Sequence, residues 1–266
     1  MSLTLTLVQT PLHWENVDAN LEMLEKKINA LTQKTEIIVL PEMFSTGFTM
    51  RPEVLAETME GKALTWMRRI AMEKKVILTG SLSIQENEKY YNRLIWMLPN
   101  GQHGHYDKRH RFAYAGEDKQ YTAGHKRLVA QVKGWKINLQ VCYDLRFPVW
   151  ARQSFDAEKQ EPEYDILLYV ANWPERRNHA WKTLLTARAI ENQCYVVGVN
   201  RVGNDGNNIY HSGDSMVVNA LGETLYHKVH DEDCHTITLH REPLQGIRDN
   251  LPFLKDADPF MIIDTE

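Results

Sequence analysis

The sequence predicts an α/β protein. Short β-prone runs alternate with helix-spaced apolar patterns along the chain, and no glycine-, proline- or serine-rich linker interrupts them. Several of the runs are apolar throughout, as strands covered on both faces are. At 266 residues, 43% of them hydrophobic, the chain can bury a large core. The unbroken alternation reads as one domain over residues 1–266.

Thr4-Leu5-Thr6-Leu7-Val8 alternates as a strand does. Val17, Leu21, Leu24, Ile28 and Leu31 fall at spacings of 4, 3, 4 and 3. They mark one face of a helix that Asn16 or Asp18 could cap. Ile37-Ile38-Val39-Leu40 is a continuous apolar run that ends at Pro41-Glu42, the pattern of a buried parallel strand. A helix over 64–74 and strands over 76–83 and 93–98 come next. Asn100-Gly101 turns the last of these into a hairpin partner through Tyr106. The second half repeats the grammar: strand 137–141, helix near 149–157, strand 166–170, helix near 176–190 and strand 195–199. Beyond Gly203 the chain becomes β-rich, with strands at 215–218, 225–227 and 235–239. The polar patch from Asp156 to Glu163 reads as a loop. One helix-covered face per sheet would suit two stacked sheets, but periodicity does not establish the stacking.

Charge narrows the function classes. Thirty-five acidic and 31 basic residues give a net charge of −4 without blocks of one sign, so no nucleic-acid partner is expected. No apolar run reaches membrane-spanning length and no basic-then-apolar leader opens the chain, so no membrane partner is expected. Cys142, Cys194 and Cys234 form neither a C-x-x-C pair nor a disulfide ladder, which suits a reducing cytoplasm. The eleven histidines include no HExxH, and His103, His105 and His110 fit a turn or strand edge equally well; no metal is expected. Without a G-x-G-x-x-G or Walker loop, no cofactor is expected either.

Three segments carry candidate chemistry. Cys142 directly follows the strand Ile137–Val141 and precedes a polar turn and Pro148. Open α/β folds expose nucleophiles at such strand-to-helix turns, although a free cysteine is also often a small buried hydrophobe. Glu42 stands at the carboxyl end of the first buried strand, among Val39, Leu40, Met43 and Phe44, an apolar setting that suits a general base; a surface carboxylate is the plainer alternative. Lys108 lies in the basic run 106–112. Its alternatives are a solvated loop, or a fixed ammonium that lowers a thiol pKa and stabilises an oxyanion.

Leu40-Pro41-Glu42, Lys108-x-His110-x-Phe112 and Cys142-x-Asp144-x-Arg146-x-Pro148 together resemble the three signature blocks of the nitrilase, or carbon–nitrogen hydrolase, superfamily. Their order and their separations of 66 and 34 residues resemble that family as well. The resemblance implies a four-layer α-β-β-α sandwich and a catalytic triad of Glu42, Lys108 and Cys142. It also implies an oxyanion site formed by Lys108 and the backbone N–H of Tyr143, a small-molecule amide substrate and a homodimer joined through helix-covered faces. A second family glutamate corresponds to Glu117, with Asp118 as its neighbour-in-sequence alternative. Ala171-Asn172-Trp173-Pro174 resembles a pocket wall. Arg188-Ala189-Ile190-Glu191-Asn192, Val199-Asn200-Arg201 and His211-Ser212-Gly213-Asp214-Ser215 resemble structural blocks. The 43–48 loop and the 172–176 block look like the omega-amidase branch, which acts on 2-oxo dicarboxylic acid monoamides. That implies substrate contacts from Phe44, Trp173 and Arg176, with Arg111 as an alternative partner for the substrate carboxylate. The rivals are another nitrilase-type amidase, a non-catalytic binding member and a papain-like Cys-His hydrolase.

Overall fold

Alternation within single strands explains how the layers form, and the computed structural model describes residues 1–156, 158 and 161–263. In β1 (Ser2–Gln9), Leu3, Leu5 and Leu7 enter one buried cluster and Val8 another. In β2 (Ile37–Val39), Ile37 and Val39 join the first cluster and Ile38 the second. Successive side chains of a strand point to opposite faces, so each strand supplies both sides of its sheet. The second cluster is closed by Leu21, Leu24 and Ile28 of α1 (Val17–Asn29) and by Leu64, Met67 and Ile70 of α3 (Lys62–Lys74), which follows the single turn α2 (Pro52–Leu55). Asn16 caps α1, its Oδ1 accepting from Ala19 N at 3.1 Å.

The first sheet continues through β3 (Ile77–Glu86), β4 (Lys89–Met97) and β5 (His103–Asp107), and the late strand β15 (Asp233–His240) pairs antiparallel with β1 at its other edge. β1, β2 and β3 are parallel to one another. After the single turn α4 (Glu117–Gln120), the second sheet is built from β6 (Val129–Val132), β7 (Trp135–Val141), β10 (Ile166–Ala171), β11 (Tyr195–Asn200), β12 (Val202–Asn204), β13 (Tyr210–Val218) and β14 (Thr224–Val229). Here β7, β10 and β11 are parallel. Between β7 and β10 lie the single turn α5 (Pro148–Ala151) and the short pair β8 (Phe155–Asp156) and β9 (Glu161–Pro162).

The two sheets stack face to face, and α6 (Asn178–Asn192) covers the outer face of the second with Trp181, Leu185 and Ala189. The approach is close: a Cβ at Gly198 of β11 would lie 2.6 Å from Leu185 Cδ1 and 2.8 Å from Trp181 Cζ2. Only glycine fits there. The result is the expected α-β-β-α order. Among the described residues no helix is long and apolar enough to cross a membrane.

Two expectations need correction. The helix expected near 149–157 is only α5, because Gln153 is pulled out of helical register: its N–H donates to Asn192 Oδ1 at 2.8 Å and its Nε2 to Tyr164 O at 2.8 Å. Ala157, the end of that expectation, lies outside the described residues, as does part of the loop expected over 156–163. An unexpected helix, α7 (Arg241–Asn250), contains Pro243 and Gly246, both poor helix signals. Tertiary contacts hold it: Arg248 donates to Asp165 Oδ1, Tyr164 O and Gln193 O at 2.8–3.0 Å.

Candidate active site

Four strands deliver residues just beyond their ends to one end of the sandwich. Glu42 is the third residue after β2, and Lys108, Cys142 and Asn172 directly follow β5, β7 and β10. Carboxyl ends of parallel strands are where open sheets form ligand crevices. Cys142 adopts φ +46°, and Met43, beside Glu42, adopts φ +43°. Both are left-handed conformations that cost a non-glycine residue on the order of 1 kcal/mol.

The carboxylate of Glu42 is fully buried. Its Oε1 accepts from Lys108 Nζ at 2.8 Å and from Asn92 Nδ2 at 2.8 Å, and its Oε2 accepts from the Asn172 N–H at 2.8 Å. Asn172 Nδ2 also donates to the Glu42 carbonyl at 2.6 Å. Glu42 also lies near enough to Cys142 to act on its thiol. On its other side Lys108 Nζ meets both oxygens of Glu117, at 3.0 and 2.9 Å. Glu117 is buried and Asp118 is exposed, so of the two expected alternatives it is Glu117 that faces the lysine. Asn92 Nδ2 bridges the carboxylates, reaching Glu117 Oε1 at 3.1 Å.

The electrostatics follow from this packing. Burial alone would lower the Lys108 pKa, but Glu117, Glu42 and Cys142 outweigh it and raise it, so the ammonium is retained. Burial raises the Glu117 carboxyl, with the Lys108 charge opposing. Burial also pushes the Cys142 thiol well above its ordinary range, and the Glu42 charge adds to that. The expected effect of Lys108 is present and does lower the thiol, but it is overcome. The resting thiol is therefore protonated, and its reactivity depends on the base beside it.

Above the sulfur is a cavity of about 230 Å³, to which Cys142 and Tyr143 contribute. Phe48, Phe112 and Trp173 form apolar walls, and Phe48 lies 5.2 Å from Lys108 Nζ. Arg146, Arg176 and Arg177 line the same cavity, and among the described residues none of the three forms an ion pair with a carboxylate. The Arg146 guanidinium rests 4.9 Å above the Trp173 ring and that of Arg177 rests 5.0 Å above Phe112. Burial, then the like charges of Arg176 and Arg146, hold the Arg177 pKa below its usual range.

The expected Trp173 and Arg176 thus lie on the cavity, whereas Phe44 does not. Phe44 is fully buried in the helix-side core, 5.9 Å from Trp66 and against Gly80, where an added Cβ would come within 2.8 Å of its ring. The left-handed turn at Met43 directs Phe44 inward and leaves Phe48 for the site. Arg111 is also displaced, donating to Tyr121 O at 3.1 Å. Sequence reasoning did not anticipate Asn92, Phe48 or Arg177. Asn92 lies just outside the strand expected over 93–98 and next to the equally polar Arg93, so nothing in the sequence singled it out. Among the described residues no group of three histidine, cysteine or acidic side chains could hold a metal ion.

Two stacked sheets with an acid, an ammonium and a thiol at their shared end define a hydrolase of carbon–nitrogen bonds. The Carbon-nitrogen hydrolase family matches residues 4–245, and the chain belongs to it. The chain is 41% identical to the omega-amidase YafV of Yersinia enterocolitica, covering 98% of this chain and 99% of that protein. It is 28% identical to a 2-oxoglutaramate amidase of Bacillus subtilis, covering 96% and 98% of the two. A crystal structure from Xanthomonas campestris, a CN-hydrolase superfamily protein with an arsenic adduct in the active site, superposes with a TM-score of 0.96. It shares 40% identity over 98% of this chain and 99% of that one.

Proposed function

We propose that the protein is an omega-amidase, releasing ammonia from the terminal amide of small 2-oxo dicarboxylic acid monoamides such as 2-oxoglutaramate and 2-oxosuccinamate. The observation that carries this reading is a Cys-Glu-Lys cluster at the floor of a small cavity whose wall carries three arginines that form no ion pair among the described residues.

In the proposed reaction Glu42 takes the Cys142 proton as the sulfur attacks the amide carbon, and a C–S bond forms. Lys108 and the Tyr143 N–H hold the resulting oxyanion; one such donor is commonly worth about 10²–10³ in rate. The C–N bond then breaks, Glu42 returns the proton to the nitrogen, and ammonia leaves a thioester on Cys142. Water gives a proton to Glu42 and attacks the thioester, the C–S bond breaks, and the thiol is restored with release of the acid. Glu117 orients Lys108 throughout.

The arginines select the far end of the substrate. Bringing like charges together is unfavourable, and an anionic ligand relieves it, so a carboxylate that Arg146, Arg176 or Arg177 can grip is favoured over an uncharged amide. Trp173, Phe112 and Phe48 limit the chain between carboxylate and amide. An ammonia-release assay across 2-oxoglutaramate, 2-oxosuccinamate, glutamine, asparagine, a carbamoyl amino acid and a nitrile tests the reading. Turnover concentrated on the first two supports it; turnover confined to nitriles or carbamoyl compounds removes it.

We also place the enzyme in the cytoplasm as a homodimer. Its three cysteines are free, which fits a reducing compartment, and Val149 of α5 and Ile190 of α6 expose apolar side chains on the helix-covered face. Sedimentation at low protein concentration decides between dimer and monomer.

A further inference from the structure

Two polar residues of the lysine and cysteine segments take no part in the chemistry above: His110, two residues after Lys108, and Asp144, two residues after Cys142. Asp144 is fully buried. Its Oδ2 accepts from the Tyr106 hydroxyl at 2.7 Å and from the Val141 N–H at 3.1 Å. Its Oδ1 accepts from the His110 N–H at 2.9 Å and pairs with His110 Nδ1 at 2.8 Å. Tyr106 lies two residues before Lys108, and Val141 immediately precedes the cysteine. One carboxylate thus gathers donors from both sides of the lysine, on the first sheet, and from the elbow of the second.

The surroundings hold this bolt rigidly. The Tyr106 oxygen also accepts from the Arg109 N–H at 3.2 Å and from Trp150 Nε1 at 2.9 Å. Burial, with Asp144 alongside, keeps the phenol protonated and a donor. The His110 ring stacks on Phe147, centroids 3.8 Å apart and planes within 5°, with Trp150 edge-on at 6.2 Å. Phe147 and Trp150 both belong to the chain just beyond the cysteine. Imidazole, phenol and indole therefore press the lysine segment and the elbow together around one buried carboxyl group. The elbow needs such support, since Cys142 occupies a left-handed conformation.

We propose that Asp144, with His110 and Tyr106 as its donors, is the positioning residue that registers Lys108 against the Cys142 elbow, so that oxyanion donors from the two sheets act as one site. Misplacement of about 1 Å at such a site can cost about 10²-fold in rate. The inference rests on the hydrolase reading of Cys142 and Lys108. Failure of that reading appears in the unmodified enzyme, as no ammonia release from any amide; failure of this inference appears only in the variants.

The test compares Asp144→Asn, His110→Ala, His110→Asn and Tyr106→Phe with the unmodified protein. It measures kcat per titratable thiol, KM, melting temperature and the iodoacetamide alkylation rate of Cys142. Asp144→Asn should lower kcat per thiol about 10²-fold with KM within about twofold. His110→Ala and Tyr106→Phe, each removing one donor, should lower it about tenfold, and His110→Asn, which keeps a side-chain N–H, should recover most of the loss. If Asp144→Asn does not fold, the two single-donor variants decide. If no amide is turned over, the alkylation rates decide, with the same order expected. An unchanged kcat per titrated thiol, with all loss falling on melting temperature and the fraction of reactive thiol, would overturn the proposal and leave a purely structural anion site.

Discussion

Cys142 bears two penalties at once, a left-handed backbone and a thiol that burial holds protonated. Neither helps a core cysteine, and both suit a nucleophile presented at a turn and activated only when Glu42 accepts its proton. Replacing it by alanine removes little buried area, so Cys142→Ala should abolish turnover while the melting temperature stays within a few degrees, as thermal denaturation will show. Because the thiol pKa is raised, the protein should show no thiolate absorbance step at Cys142 below about pH 9, the ordinary cysteine range. The ultraviolet difference titration against Cys142→Ala reads this directly, and a step between pH 5 and 8 would contradict it. Glu42→Gln keeps the shape but removes the proton acceptor, so kcat should fall by about 10²–10⁴. Stopped ammonia assays measure that loss. Local context made Glu42, Lys108 and Cys142 candidates with plainer alternatives; the family resemblance grouped them as a triad and left Glu117 and Asp118 as alternatives for the second carboxylate. Phe44 was misplaced because two phenylalanines four residues apart look alike on paper, and the left-handed turn at Met43 decides which one faces the core.

At the scale of elements, the strands and the long helices were read from periodicity with modest errors at their ends. α5 and α7 were not, since their lengths are set by hydrogen bonds to distant parts of the chain, at Gln153 and Arg248, rather than by local propensity. Two elements carry their own predictions. The Asn16 side chain satisfies one free N–H at the start of α1, so Asn16→Ala should lower stability by about 1 kcal/mol in denaturant unfolding. His211 opens the inner part of β13, nearly fully buried, with Nδ1 2.9 Å from the Ile209 carbonyl. Burial first, and Arg201 second, push its pKa down to about 4. A group depressed in the folded state favours folding above its unfolded pKa and loses that contribution as pH falls. Stability should therefore decline between about pH 6.5 and pH 4, by up to about 3 kcal/mol from this group. Denaturant midpoints across that range should fall less steeply for His211→Asn; equal slopes would remove His211 as the cause.

Across the whole molecule, the site exists because two sheets stack. Glu42 and Lys108 come from the first and Cys142 and Asn172 from the second, so neither sheet alone contains the cluster. The continuous apolar run of β2 shows that both its faces are buried but not what each face meets, which is why the stacking was beyond periodicity and entered through the family resemblance. The arginine wall was hidden for a related reason. Nothing in the sequence brings Arg146 and Arg177 to one cavity with Arg176; the fold does, and among the described residues none of the three forms an ion pair there. Rapid acid quenching during turnover of 2-oxoglutaramate, followed by intact mass measurement and peptide mapping, shows whether Cys142 carries the acyl group. A 2-oxo acyl group should be found joined to Cys142 as a thioester, formed with loss of ammonia and absent from Cys142→Ala. Turnover with no such adduct, or with the adduct on Cys194 or Cys234, would rule out Cys142 as the nucleophile.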